Sequence, residues 1–242
     1  LINRNLTTTK IQQEFFTPPQ PIDITLSQTG LKPKAINKTI ARIGQAIANK
    51  ETIVVYGDYD ADGICATAIL WETLFHLKAK VFPFIPHRQT HGYGLSLSGV
   101  KEVIKQHQPQ LIITVDNGIV ANQAADFVAQ QNIDLIITDH HQLGAQLPTA
   151  YEIVHSQEIS GCGVSWMLSR EIINQLDKSN LTFPNQSLDL LSIGTIADLM
   201  PMHNINRSFV RAGLKLLTNS KRPGLIELKK QAKIEPNTVM TT

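Results

Sequence analysis

A chain of 242 residues is long enough to bury a substantial core, as one large domain or two small ones. Its hydrophobic fraction of 42% and charged fraction of 17% are those of an ordinary globular protein, which argues against disordered, fibrous and membrane-spanning classes. The formal net charge of +2 does not identify a nucleic-acid-binding protein, so any such surface would be local. The two cysteines, Cys65 and Cys162, lie far apart without metal-ligand spacing, and we expect a reducing, cytoplasmic location.

Predicted helices and strands alternate along the chain after a polar N-terminal arm. The arm, residues 1–36, is rich in Thr, Gln and Pro and contains one short helix near residues 10–16. Apolar runs predict strands over residues 53–56, 80–85, 111–115, 135–138 and 152–154. Periodic segments predict helices over residues 37–49, 121–130, 161–176, 187–199, 208–217 and 225–233. Two further helices follow the first two strands: one ends near residue 77, and the other is capped by Ser96 or Ser98. This order predicts an α/β fold: a parallel sheet with helices on both faces and a helical C-terminal part.

Three carboxylates, Asp58, Asp60 and Asp62, follow the first predicted strand at alternate positions. They would lie at the carboxyl edge of the sheet, where open α/β folds bind ligands. Carboxylates this close repel one another and bind protons more tightly unless a cation lies between them. Magnesium and manganese suit such oxygen ligands. By its composition alone, the stretch fits equally well an Asp-rich turn that caps a helix.

Three further segments place acidic or imidazole groups at the ends of predicted elements. Asp116 follows the third strand, Asp139-His140-His141 follows the fourth, and Asp198 ends an apolar helix. Each alone also fits a plain turn, a surface pair or a helix-end charge. Parallel strands bring their carboxyl ends to one edge, and an acidic rim without compensation would cost stability. The combination therefore predicts a site for two Mn²⁺ or Mg²⁺ ions rather than a structural zinc.

Two groups of basic residues have different interpretations. Arg88, just beyond the second predicted strand and near the acidic rim, is suited to bidentate contact with a phosphate. The second group fits a solvated helix face better than a DNA-binding track, and consists of Lys215, Lys221, Arg222, Lys229, Lys230 and Lys233.

Four segments resemble, in order, the successive motifs of the DHH phosphoesterases. They are Tyr56-Gly57-Asp58-Tyr59-Asp60-Ala61-Asp62-Gly63, Val115-Asp116-Asn117-Gly118-Ile119, Thr138-Asp139-His140-His141 and Gly194-Thr195-Ile196-Ala197-Asp198. The resemblance extends over residues 50–224. The first motif, together with Pro86-His87-Arg88 and Gly92-Tyr93-Gly94-Leu95, is similar to the form found in the single-stranded-DNA-specific exonucleases of this family.

The resemblance implies roles for individual residues. Asp116 would bridge two metal ions, within the ligand set Asp60, Asp62, Asp116, His140 and Asp198. The residues beside the metals would be Asp58, Asp139 and His141. Of these, Asp139 would orient a histidine, and His141 would be either a ligand or a phosphate contact. Contacts to the nucleic acid would come from Arg88, His91, Gly92, Tyr93 and Asn117.

The implied function is hydrolysis of single-stranded DNA from a 5′ end, by metal-activated water, to 5′-mononucleotides in DNA repair and recombination. Residues 37–220 would form the catalytic DHH domain, and residues 221–242 would begin a linker to a DHH-associated domain beyond the chain. One alternative is a DHH phosphoesterase acting on oligonucleotides, nucleotide phosphates or pyrophosphate, and another is a non-catalytic DNA-binding relative. Recombination or replication proteins are expected partners, a membrane is not, and the oligomeric state is open.

Overall fold

The protein has a five-stranded, fully parallel sheet, seen in a computed structural model that describes residues 8–235 and 238–240. The beginning of the predicted arm and parts of the predicted linker, residues 1–7, 236–237 and 241–242, lie outside the described residues. The strand order is β2-β1-β3-β4-β5. The strands are β1 (Thr52–Tyr56), β2 (Lys80–Phe84), β3 (Leu111–Val115), β4 (Asp134–Asp139) and β5 (Glu152–His155).

Helices connect these strands and form the C-terminal part, as the sequence predicts. They are α1 (Thr9–Phe16), α2 (Pro33–Ala48), α3 (Ala61–His76), α4 (Arg88–His91), α5 (Leu97–His107), α6 (Asn122–Gln130), α7 (Gly161–Leu176), α8 (Leu188–Ala197), α9 (Asn204–Thr218) and α10 (Pro223–Gln231). Two 3₁₀ helices are Pro21–Asp23 and Phe183–Ser187. Within the described part of the chain, no helix combines the length and the apolar character needed to cross a bilayer.

The sheet separates two hydrophobic cores, which confirms the prediction of helices on both faces. Along β1, Ile53 and Val55 belong to one core with residues of α2, α3, α7 and α8, and Val54 and Tyr56 belong to the other with residues of α5 and α6. Every residue of β1 and β3 is buried. Burial on both faces explains why the strands read as continuous apolar runs rather than as alternating patterns.

Some boundaries differ from the sequence prediction for local reasons. Helix α2 begins at Pro33, because proline at the first helical position has a preset φ and needs no hydrogen-bond partner. Ile24 and Leu31, in the predicted arm, are 1% and 2% exposed and belong to the core. Helix α4 was not predicted in what reads as a loop. Ser96, rather than Ser98, caps α5, since its hydroxyl accepts from the backbone N–H of Gly99 at 3.1 Å.

Arg222, the residue just before α10, links the C-terminal part to α3 and α8. Its Nη2 donates to Glu72 Oε2 of α3 at 2.9 Å, and its Nε lies 3.1 Å from Asp189 Oδ1 of α8. Asp189 is 3% exposed. The interpretation of Arg222 as part of a solvated basic face is therefore wrong. Arg222 and Leu225, in the predicted linker, thus contact the domain.

Replacing Arg222 by Ala should lower the free energy of unfolding by about 2 kcal/mol, because the buried Asp189 carboxylate would lose its cation. The matched control is Lys221→Ala, since Lys221 is exposed and adjacent. We expect that control to change stability by no more than about 0.5 kcal/mol. Urea denaturation midpoints measure both effects. Equal midpoints for the two variants would contradict a stabilising role for the contacts of Arg222.

Candidate metal centre

The carboxyl edge of the sheet gathers four buried aspartates. Asp58 follows β1, Asp116 follows β3, Asp139 is the last residue of β4, and Asp62 lies in the first turn of α3. All four are at most 2% exposed. Asp198 caps the C-terminus of α8 beside them. The strand ends therefore converge as parallel pairing requires.

His140 lies at the middle of this cluster. Its Nε2 is 3.2 Å from Asp116 Oδ1, 3.7 Å from Asp198 Oδ2 and 3.9 Å from Asp62 Oδ2. Two triplets of possible ligands share His140, and within each triplet the ligand atoms lie within 4.8 Å of one another. One triplet is Asp116, His140 and His141, and the other is Asp62, His140 and Asp198.

The chemistry of these groups fits divalent cations. Asp116 Oδ1 and His140 Nε2 are buried and make no hydrogen bond within the described residues, although they face each other. Burial, then repulsion from Asp62 and Asp60, raises the pKa of Asp116 to about 10. Leaving such polar atoms unsatisfied is costly. A cation shared between carboxylate oxygens and an imidazole would satisfy both, and this mixed ligand set suits manganese or magnesium.

Asp139 organises the histidine pair. Its Oδ1 accepts from the backbone N–H groups of His140 and His141, at 2.7 and 3.1 Å, and from His141 Nδ1 at 2.7 Å. Its Oδ2 accepts from the N–H of Ile119 at 2.9 Å. Burial opposes ionisation of Asp139, but these bonds outweigh it and lower the pKa. The bond to Asp139 also raises the pKa of His141. His155 Nε2 donates to the carbonyl of His141 at 2.7 Å.

Helix α7 begins beneath the cluster. The N–H groups of Gly161 and Cys162 donate to Asp62 at 2.6 and 3.1 Å, so the helix N-terminus favours a negative charge there. A Cβ at Gly161 would overlap the Asp116 carboxylate, and one at Gly194 would overlap Asp62. Sequence reasoning missed these two roles. The only signal was a glycine at each position, since the clash is with a distant segment.

Asp60 is separate from the buried cluster. Its side chain is exposed, and its Oδ1 accepts from the N–H of Gly63 at 2.9 Å as the N-cap of α3. Neither triplet includes it. Asp60 thus lies at the rim, and its role as a ligand stays a prediction.

Arg88, Gly92 and Tyr93 are exposed beside the cluster. The Arg88 guanidinium lies 5.4 Å from the centre of the Tyr59 ring, and the Tyr93 hydroxyl is 3.2 Å from His141 Nε2. Gly92 has a φ of 81°, which favours glycine where the chain leaves α4. These three residues are placed where the expected phosphate contacts could form.

Asn117 and His91 face inward instead. Asn117 is 2% exposed, and its Nδ2 donates to the carbonyls of Val115 and Tyr56 at 2.9 and 3.3 Å. His91 Nε2 lies 2.7 Å from Glu102 Oε2, and its Nδ1 accepts from the N–H of His87 at 2.8 Å. Because the Asn117 amide nitrogen and both His91 ring nitrogens are already paired, the structure does not favour direct phosphate contacts by either side chain.

Comparison with known proteins agrees with this geometry. The family model described as "DHH family, N-terminal domain" matches residues 52–195. The chain is 40% identical over 204 residues to the single-stranded-DNA-specific exonuclease RecJ of Bacillus subtilis, covering 81% of this chain and 25% of that protein. It is 35% identical over 199 residues to the RecJ of Thermus thermophilus, covering 79% of this chain and 29% of that one. The chain thus spans about a quarter to a third of the length of these relatives.

Two solved structures show the same fold. A crystal structure of exonuclease RecJ bound to manganese has a TM-score of 0.76 and 33% identity, covering 85% of this chain and 53% of that chain. RecJ of Thermus thermophilus in complex with Mn²⁺ also has a TM-score of 0.76, at 29% identity, covering 97% of this chain and 33% of that chain.

Replacing Asp116 by Asn should lower Mn²⁺ affinity by at least about tenfold, because the substitution keeps the shape but removes a carboxylate that can ionise when a cation binds. The matched variant is Asp60→Asn, which keeps the helix cap, since Asn caps as well as Asp does. We expect Asp60→Asn to lose less Mn²⁺ affinity than Asp116→Asn does. Calorimetric titration with Mn²⁺ measures both affinities. Full affinity in Asp116→Asn together with lost affinity in Asp60→Asn would show that the cation centre lies at the rim.

Proposed function

This chain belongs to the DHH family, and from that premise we propose that it is the catalytic domain of a metal-dependent exonuclease. The proposed reaction is hydrolysis of phosphodiester bonds in single-stranded DNA, from the 5′ end, to 5′-mononucleotides. The proposed setting is DNA repair and recombination. The names of the relatives, which are single-stranded-DNA-specific exonucleases, support this substrate.

One observation carries the proposal: Asp116 Oδ1 and His140 Nε2 face each other at 3.2 Å, buried and without hydrogen bonds. Around them, Asp62 and Asp198 complete a set of oxygen and nitrogen ligands. We propose that Asp62, Asp116, His140 and Asp198 hold two Mn²⁺ or Mg²⁺ ions, with Asp60 completing the set from the rim. The relatives of known structure bind manganese or magnesium.

When bound, the cations would supply a nucleophile from water and stabilise negative charge on the phosphate. The residues of the chain prepare the site for that chemistry. Asp139 fixes the His141 ring with the proton on Nδ1, which leaves Nε2 facing the open rim beside Tyr93. His141 can therefore donate a hydrogen bond to a phosphate oxygen only when its Nε2 is protonated. The raised pKa of His141 favours that form.

Arg88 is suited to hold the DNA backbone. Its guanidinium is exposed, and within the described part of the chain it makes no hydrogen bond or ion pair. The neighbouring rings of Tyr59 and Tyr93 lie edge to face with centroids 6.1 Å apart. A single strand presents unpaired bases that can stack on such rings, whereas a duplex does not. This arrangement supports a single-stranded substrate.

End-labelled single-stranded DNA, double-stranded DNA and a dinucleotide, each incubated with the full chain, test the proposal. We expect degradation of the single strand in Mn²⁺, loss of activity in excess EDTA, and recovery when Mn²⁺ is restored. Undiminished activity in chelator would contradict the metal centre. Cleavage of the dinucleotide alone would instead indicate a DHH phosphoesterase for short substrates, and binding without hydrolysis would indicate a non-catalytic relative.

Replacing Arg88 by Ala should lower kcat/KM about tenfold, the size expected for a lost hydrogen bond to a charged group. The loss should be equal for homopolymeric and mixed-sequence strands, because phosphate contacts carry no base information. Steady-state kinetics on dT, dA and mixed oligonucleotides of one length measure it. A loss confined to one base composition would mean that Arg88 reads bases.

A further inference from the structure

The segment that carries Arg88 and Tyr93 is anchored at both ends, where Pro86 and Leu95 are buried. It consists of residues 86–96 and contains the single turn of α4. Tyr56, buried in β1, donates its hydroxyl to the carbonyl of Gly94 at 3.2 Å. The Tyr93 hydroxyl meets His141. Neither contact involves the turn from His87 to His91, which contains Arg88 and in which residues 87–90 are exposed.

His91 attaches this turn to α5. Its Nδ1 accepts a hydrogen bond from the N–H of His87, so Nδ1 carries no proton. Its Nε2 therefore carries the proton of the neutral ring and donates to Glu102 Oε2 at 2.7 Å. The side chain is 11% exposed, and Ser98 Oγ donates to the His91 carbonyl at 3.3 Å. Both ring nitrogens and the backbone carbonyl of His91 are engaged.

This arrangement links Arg88 to a rigid helix. The bond to His87 closes the turn from His87 to His91, which contains Arg88. The bond to Glu102 attaches that turn to α5. Helix α5 is itself anchored, since Val100 and Val103 are fully buried in the core with β1. Without the imidazole, the His87 N–H would lose its protein partner, and of the two hydrogen bonds between the turn and α5 only the one from Ser98 Oγ to the His91 carbonyl would remain.

We propose that His91 is a positioning residue that sets the Arg88 guanidinium for the phosphate contact. The proposal rests on the proposed function, and it assigns His91 a role through Arg88 rather than a contact with DNA. A direct phosphate contact through Nε2 would require breaking the bond to Glu102. It would also bring the phosphate next to the Glu102 carboxylate, which repels it.

The variants separate the two bonds. His91→Asn keeps an acceptor at the place of Nδ1 but is too short to reach Glu102, and His91→Gln keeps a donor near the place of Nε2 but loses the acceptor. His91→Ala loses both. The matched control is His107→Asn on the last turn of α5, where the ring stacks on Phe82 away from the segment.

We expect His91→Ala to raise KM for single-stranded DNA by about tenfold, as loss of the Arg88 contact would, while kcat changes less than about twofold. His91→Asn and His91→Gln should each restore part of the KM, and His107→Asn should match the unsubstituted protein. In the Arg88→Ala background, His91→Ala should have no further effect. A second, equal rise in KM in that background would overturn the proposal, because His91 would then act independently of Arg88.

Hydrogen exchange of the backbone amides in residues 87–92 gives a measurement that does not depend on activity. Exchange should be faster in His91→Ala and unchanged in His107→Asn, and equal exchange in the two would overturn the positioning role. If the unsubstituted protein degrades no single-stranded DNA, the proposed function fails, and this exchange result still decides whether His91 holds the turn. If His91→Ala does not fold, the kinetics alone and in the Arg88→Ala background are measured with His91→Asn instead.

Discussion

The burial of four aspartates at one sheet edge is the constraint on which the rest of the structure depends. Each carboxylate removed from water needs either donors or a cation. Asp139 has four N–H donors from the backbone and the His141 ring, and Asp62 has two from the start of α7. Asp58 Oδ2 and Asp116 Oδ1 have none among the described residues. The need for a cation is therefore greatest at these two carboxylates and at His140, which faces Asp116.

The backbone leaves the Asp116 carboxylate little freedom of position. Val115 pairs with Thr138, so the residues that follow in the two strands, Asp116 and Asp139, emerge side by side. Asp116 has a φ of 62°, a left-handed conformation that Asp tolerates better than most residues. Gly161 leaves the space into which its carboxylate turns. A change in strand register or at this glycine would move the charge away from His140.

The sequence allowed the framework and most of the edge to be predicted, because both follow from local patterns. Apolar or alternating runs located all five strands, and the acidic residue after each of three strands located the site. The directions of individual side chains could not be predicted. Asn117 and His91 stand in glycine-containing segments that suggest phosphate contacts, yet Asn117 donates to the Tyr56 carbonyl of another strand and His91 is bonded to Glu102 of α5. Arg222 reads as a surface cation because Glu72 and Asp189 are distant in sequence.

The site combines a rigid interior with an exposed rim, and the two parts have different roles. The interior groups stand at strand ends and helix termini, where packing fixes them to the accuracy that metal coordination requires. Arg88 and Tyr93 stand on an exposed segment, where a strand of the proposed substrate could reach them. Such a segment loses contact geometry easily, since exposed turns open at low free-energy cost. The bonds of His91 to His87 and Glu102 oppose that opening, and they therefore keep Arg88 in one place on an otherwise exposed turn.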